Sequence, residues 1–356
     1  MNNSRHLAIV AVLIVVVTLL LRVFFGWLFT LPVAASAQAG PIDGFFSIHF
    51  WMISFLFALI MVLMLYSAFV FRRRPGDDED GPHIHSNTAL EIGWTVIPTV
   101  VVLGFGVYGA ILLNDLIAPQ QGEITIQVEA RQWGWKFTYP EHEALVSGQL
   151  ALEVGQPIVL ELNSVDVLHS FWVPEFRVKQ DLVPGQTTKL RIEPTKEGTY
   201  KVRCAEICGT GHADMRAEVL VMGPEAYAAW IEEASNVPVY ADLEPAERGQ
   251  LWYSDPNLNC VACHSTDGTA LAGPTWQAII GRQEAMADGS SVVIDADYIR
   301  NSVVDPNAQI VAGFQPNVMP QNFADTIGEI EQNVLDTQGF EVDIIGDLIA
   351  FMETLQ

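Results

Sequence analysis

The sequence predicts a multidomain protein in three parts: transmembrane helices at the N-terminus, an all-β sandwich, then an all-α domain. Long apolar runs stop before residue 118, short alternating segments bounded by turn residues fill 123–222, and helical patterning returns after 245. Half of the 356 residues are hydrophobic and only 17% are charged, too apolar for an ordinary soluble or a disordered chain. Eighteen Lys and Arg against 42 Asp and Glu leave a formal charge of −24. That balance argues against a nucleic-acid partner, because phosphate contacts need a basic face.

Three apolar runs form the membrane part. Leu7 to Leu31 is interrupted only by Arg22, and Phe45 to Phe71 carries no charge beyond a possible one on His49. Ile92 to Leu113 is 22 residues without a charge, about 33 Å of helix against a hydrocarbon core of about 30 Å. Pro98, Gly104, Gly106 and Gly109 in this run suit a membrane helix better than a soluble one. The triplet Arg72-Arg73-Arg74 belongs in the cytoplasm by the positive-inside rule. The chain is then a multi-pass protein of a bacterial cytoplasmic membrane, with everything after 117 on the outer side. Residues 1–37 read as a signal peptide, with Ala35-Ser36-Ala37 as a small-residue cleavage site, or as an extra transmembrane helix. About 25 apolar residues is long for a signal and enough to span. Residues 38–118 are the expected helical hairpin, and its Asp77–Asp80 run reads as a solvated loop.

Residues 119–223 hold six expected strands: Glu123–Ala130, Gly134–Tyr139, Pro157–Asn163, Thr187–Ile192, Thr199–Arg203 and Arg216–Met222. Ser147-Gly148, Gly155, Pro184-Gly185 and Glu197-Gly198 punctuate them, which predicts an antiparallel sandwich or barrel. Residues 224–245 read as a short helix, Glu225–Ser235, and a linker. Residues 246–356 carry helical segments at Ala246–Ser254, Thr275–Ile280, Ala296–Val304 and Gly339–Leu355.

The first chemical constellation is Cys204-Ala-Glu206-Ile-Cys208-Gly-Thr-Gly-His212-Ala-Asp-Met215. Two thiolates, an imidazole and a thioether form a soft donor set suited to copper. Gly209 and Gly211 place them on a loop, and His169, in Asp166-Val-Leu-His169, offers a second imidazole from a preceding strand edge. A structural Cys₂His₂ zinc site is the plainer alternative, but it leaves Met215 and Glu206 idle.

These two segments resemble the copper-binding segments of cytochrome c oxidase subunit II, of the haem–copper oxidase family. The likeness extends over residues 45 to about 225. It implies a cupredoxin-like Greek-key sandwich and a binuclear centre of two Cu ions. Cys204 and Cys208 would bridge the coppers, and His169 and His212 would bind terminally. Met215 would be a weak ligand, Glu206 would bind through its carbonyl, and the Glu206 side chain would reach Mg at the interface with subunit I. Gln132-Trp133-Gly134-Trp135 resembles the family's aromatic run, whose first Trp is where electrons enter, so that role falls to Trp133. Many relatives have Tyr where this chain has Gly134. Trp133 without that resemblance is a half-buried strand aromatic. Leu90-Glu91-Ile92-Gly93-Trp94 resembles the start of the family's second helix, whose Glu stands at a proton-channel mouth. On its own Glu91 is an interfacial carboxylate at a helix N-terminus.

The second constellation, Cys260-Val-Ala-Cys263-His264, is the C-x-x-C-H attachment site of a c-type haem. A thioredoxin-like pair is disfavoured by the helical surroundings and the His. Met319, in Val318-Met319-Pro320, resembles the Met-Pro signature of class I cytochromes c and is the expected second axial ligand, with Met286 as competitor. Gly273-Pro274 resembles that family's Gly-Pro, whose carbonyl orients the haem-binding His. Met/His ligation favours a high potential. All four cysteines then have a cofactor role.

The resemblance implies subunit II of a respiratory oxidase with a fused cytochrome c domain. It would carry electrons from an external donor (cytochrome c, another small redox protein or a quinol-oxidising complex) through haem c and copper to subunit I. There dioxygen becomes water, coupled to proton translocation. Subunit I, subunit III and membrane lipid are the expected partners. Alternatives are subunit II of a copper-containing nitric oxide reductase and a stand-alone membrane-anchored copper/haem shuttle. A quinol-oxidase subunit II is disfavoured, because those relatives lack the copper ligands. His49 reads as interfacial, His83 and His85 as solvated, and His6 and His142 carry no signal.

Overall fold

The computed structural model describes residues 3–76, 85–269 and 271–356. The Asp77–Asp80 run and His83 lie outside them. The chain divides into two compact units, Met1–Ala34 with Gln38–Ala118, and Ala35–Ala37 with Pro119–Gln356.

The first unit consists of α1 (Asn3–Leu28), α2 (Ala39–Val70) and α3 (Thr88–Ile117), each long and apolar enough to cross a membrane. Their outward faces are as apolar as their packed ones, as lipid requires. The first apolar run is thus a full helix packed on α2, through Ile14, Ala58 and Val62. Arg22, the one charge in that run, turns toward α2: its guanidinium lies 5.5 Å from the Trp51 ring centroid and 3.4 Å from Ser47 Oγ. A charge inside a membrane helix is tolerated when it faces a neighbour in this way. Asn87 caps α3, its side chain accepting from the Leu90 amide at 3.2 Å. Glu91 Oε1 accepts in return from the Asn87 amide at 3.1 Å.

The second unit begins with a strap. Ala35 N–H donates to the Glu175 carbonyl, Ala37 N–H to the Glu193 carbonyl, and the Thr195 amide to the Ala35 carbonyl, all at 2.9 Å. Ser36 Oγ donates to the Phe176 carbonyl at 2.8 Å. The small residues that resemble a cleavage signature are here packed against a sandwich, with Ala35 fully buried.

That sandwich has two five-stranded sheets. One runs β3 (Leu145–Ser147), β2 (Gly134–Tyr139), β1 (Ile124–Arg131), β5 (Ile158–Ser164), β8 (Thr188–Ile192). The other runs β4 (Leu150–Glu153), β10 (Arg216–Met222), β9 (Gly198–Cys204), β6 (His169–Val173), β7 (Val178–Leu182). Inward residues such as Phe137, Leu160, Leu162, Phe171, Phe176 and Val202 form the core between them. The sheets are not purely antiparallel as expected: β1 pairs with β5, and β4 with β10, in parallel. The chain closes each pair by crossing between sheets rather than by a hairpin, as a Greek-key path requires.

After the sandwich come α4 (Pro224–Ser235), α5 (Pro245–Ser254), a hairpin of β11 (Gln283–Ala285) and β12 (Ser291–Val293), α6 (Ala296–Val304), α7 (Phe323–Gln338) and α8 (Ile344–Thr354). The helices α5 and α8 meet at Gly249, where a Cβ would overlap the Asp347 carbonyl. Beside that contact Arg248 makes two hydrogen bonds of 2.8 Å to the Asp347 carboxylate, which also accepts from Trp252 Nε1 at 3.1 Å. Two expectations fail here. Thr275–Ile280 is a run of turns, not a helix. Gly339, expected to open the last helix, instead ends α7 in the left-handed conformation, φ 64°, and α8 starts only at Ile344.

Candidate metal centre

The donors of the first constellation converge because two neighbouring strands deliver them. Cys204 ends β9, and Phe171 of β6 lies opposite it, which brings His169 at the start of β6 alongside. The loop returns through Gly209 (φ 118°) and a 3₁₀ turn, His212–Asp214, to Met215 at the foot of β10. Its base is closed by the Cys204 amide on the Met215 carbonyl at 3.1 Å and the Ala205 amide on the Ser170 carbonyl at 3.0 Å.

The two sulfurs lie 3.7 Å apart. Beside Cys204 Sγ are His169 Nδ1 at 3.8 Å and the Glu206 carbonyl oxygen at 3.2 Å. Beside Cys208 Sγ are His212 Nδ1 at 3.5 Å and Met215 Sδ at 3.7 Å. His169, Cys204 and Cys208 are buried, with their ligand atoms within 4.8 Å of one another. Each sulfur therefore has its own imidazole and its own weak donor. This doubled, soft arrangement fits copper bridged by two thiolates. A single zinc tetrahedron would leave the fully buried thioether of Met215 without a role.

Hydrogen bonding sets the ring orientation. His169 Nε2 lies 2.8 Å from Asp166 Oδ1. An ionised carboxylate only accepts, so Nε2 carries a proton and Nδ1 is the nitrogen turned to the sulfur side, where it would bind a metal once its own proton leaves. Burial opposes charge on His169, but Asp166 and the Cys204 thiolate outweigh it and raise the group to about 9. Burial likewise opposes ionisation of Cys204, and the His169 hydrogen bond with backbone amides reverses it, so this thiol loses its proton more readily than usual. Burial and the neighbouring Cys204 hold the Cys208 proton more tightly. Metal binding must therefore release a proton from the pair.

Trp133 is only 3% exposed. Its Nε1 donates to the Cys208 carbonyl at 3.2 Å, which also accepts from Gln132 Nε2 at 2.6 Å. A Cβ at Gly211 would stand 2.6 Å from Trp133 Cδ2, so the loop lies flat on the indole. Asp166 Oδ2 accepts from the Gln132 amide at 2.7 Å, joining the His169 and Trp133 segments. Glu206 is partly exposed, and Glu91 belongs to the membrane unit.

The second constellation lies in the same compact unit. Cys260–Ala262 form a 3₁₀ turn that presents Cys260, Cys263 and His264 on one side. The His264 Nδ1–H donates to the Pro274 carbonyl at 2.7 Å, which leaves Nε2 free. Gly273 permits this, since a Cβ there would stand 2.6 Å from His264 Cε1. Burial lowers the pKa of His264, against the opposing pull of the Pro274 carbonyl, and so favours the neutral, ligating form. Burial also raises Cys263 to about 11. Two adjoining cavities contain Cys263, His264 and Met319 in their walls, with Trp276 and Val303. An apolar cavity with imidazole, thioether and paired thiols fits a covalent haem. The competitor Met286 packs instead beside Tyr298, sulfur to Oη 3.9 Å.

Asp166, Gln132, Arg131 and Asn259 also shape the site without belonging to either donor set. Asp166 was recoverable as a carboxylate three residues before a ligand His; the other three act through tertiary contacts.

Residues 145–221 match the family described as cytochrome c oxidase subunit II, periplasmic domain, and residues 25–110 match its transmembrane domain. The chain is 35% identical over 254 residues to cytochrome c oxidase subunit 2 of Alkalihalophilus pseudofirmus, covering 67% of this chain and 73% of the relative. It is 32% identical over 279 residues to cytochrome c oxidase subunit 2 of a Synechocystis strain, covering 65% and 83%. It is also 28% identical over 225 residues to quinol oxidase subunit 2 of Bacillus cereus, covering 60% and 77%. With its apolar helices and cupredoxin-like sandwich, the chain belongs to the cytochrome c oxidase subunit II family: a membrane-anchored electron-transfer subunit of a haem–copper oxidase, soluble part outside.

Proposed function

We propose that this subunit carries electrons from an external donor through a covalent haem c and a binuclear copper centre to subunit I, for reduction of dioxygen to water coupled to proton translocation. The observation that carries the proposal is the convergence of Cys204, Cys208, His169, His212, Met215 and the Glu206 carbonyl around one pair of sulfurs. The same donor set favours a cytochrome c oxidase over the quinol-oxidase relatives.

Residues 119–223 hold the copper pair and residues 246–356 the haem, with 224–245 joining them. Bound copper bridged by two thiolates, and a Met/His haem, would each supply a one-electron couple. His169 is fixed by Asp166, and His264 by Pro274, so each imidazole turns its other nitrogen in a set direction. Cys260 and Cys263 would attach the haem covalently, and His264 and Met319 would hold its iron. Trp133 receives electrons beside the copper loop, the Glu206 carboxylate would hold Mg toward subunit I, and Glu91 would stand at a proton-channel mouth. Subunit III, lipid and a small redox protein or quinol-oxidising complex complete the partners.

Paired substitutions test this. Cys204→Ser is expected to abolish the mixed-valence copper spectrum and leave the covalent haem band; Cys260→Ser is expected to do the reverse. Loss of neither spectrum from either variant overturns the assignment.

A further inference from the structure

In this structure the segment that carries Cys260 and Cys263 lies against the β1–β2 hairpin, whose turn carries Trp133. Arg131 Nη1, at the end of β1, donates to the Asn257 carbonyl at 3.0 Å, while its Nη2 is held by Glu129 at 2.6 Å. A Cβ at Gly134 would overlap the Asn259 amide and stand 2.7 Å from its Cγ. A Cβ at Gly148, beyond β3, would meet Pro256 Cγ at 3.8 Å, ordinary contact. Cys263, Ala272 and Val318 pack against the sandwich core, and Arg131 and Gln132 line a cavity together with Cys260, His264 and Met319. Asn259 itself is left-handed, φ 52°, a conformation Asn tolerates and one that aims this loop at β2.

We infer that Gly134 is a docking residue: the missing side chain makes the seat on which residues 256–259 rest, and that seat keeps the haem-binding segment against the hairpin that carries Trp133. The inference rests on the proposed function for its meaning, since it sets the haem segment next to the electron-receiving turn. A soluble donor then cannot reach Trp133, which is already buried, and must deliver to the C-terminal domain.

The seat is testable by hydrogen–deuterium exchange on the intact, purified complex, which reads the contact without reading turnover. Gly134→Tyr is expected to raise exchange of the 256–263 amides about ten-fold, as an exposed loop requires, and to open the 236–245 linker to proteolysis. Adding Asn259→Gly, which removes the obstructing amide and keeps the left-handed backbone, is expected to return much of the protection in a Gly134→Ala background. Arg131→Ala, which removes the hydrogen bond to the Asn257 carbonyl, is expected to raise exchange at 257–259. Unchanged protection in both Gly134→Tyr and Arg131→Ala, with both cofactors bound, overturns the seat and leaves the proposed function standing. A wild-type chain that binds no copper or no haem overturns the proposed function instead.

Discussion

His169 and His264 show the same device twice. Each ring gives one N–H to a fixed oxygen, Asp166 Oδ1 at 2.8 Å and the Pro274 carbonyl at 2.7 Å, and so presents its other nitrogen to the site. The difference is charge: Asp166 is an acid whose own pKa is lowered, against burial, by His169 and two backbone amides. Asp166→Ala removes the ring's partner and the tie to the Gln132 amide together. Copper affinity is expected to fall about 10- to 100-fold in a competition titration, with the haem spectrum unchanged. An unaltered copper affinity would mean that β6 alone orients His169. Five of the candidate donors, Cys204, Glu206, Cys208, His212 and Met215, are legible because one loop motif keeps them within twelve positions, whereas His169 lies 35 residues before Cys204. Asp166 was less so, since its bond depends on a turn closing back on the strand.

At the level of elements, legibility followed burial pattern. β2, β10 and α6 match their expected spans because their patterning is clean: β2 alternates, and α6 buries Tyr298 and Ile299 behind an Asp295 cap. β6 was missed because four of its five residues are buried, which erases alternation. β3 and β4 are only three and four residues long, and β7 is largely polar. The helix α7 was missed because Gly328 sits in its middle and only Ile327 and Val334 are buried along sixteen residues. At α3, sequence and structure agree on a helix start but leave Glu91 with two roles. Its carboxylate caps the helix by accepting from Asn87 N–H, and a glutamine can do the same without the charge. Glu91→Gln is expected to keep the melting temperature of the complex and to slow its turnover and proton uptake. Unchanged turnover would leave Glu91 as a cap alone.

Across the whole molecule the charge is uneven. From Pro238 onward three arginines face eighteen Asp and Glu, a balance of −15 out of −24. All three arginines are already paired, Arg248 with Asp347, Arg282 with Glu284 and Arg300 with Asp343. The remaining acids form a field that attracts a cationic donor, screened over about 10 Å at 0.1 M salt. A basic small cytochrome is therefore expected to reduce the intact complex faster than an acidic one at low salt, and to lose that advantage as salt rises. Equal rates at every ionic strength would mean that the field does not steer the donor.

The most direct measurement is copper and covalently bound haem iron per polypeptide, on the full-length chain separated from its partner subunits. The expected result is about two coppers and one haem, with the haem resisting acidic acetone extraction. A single zinc in place of copper, or a haem that extracts freely, would contradict it.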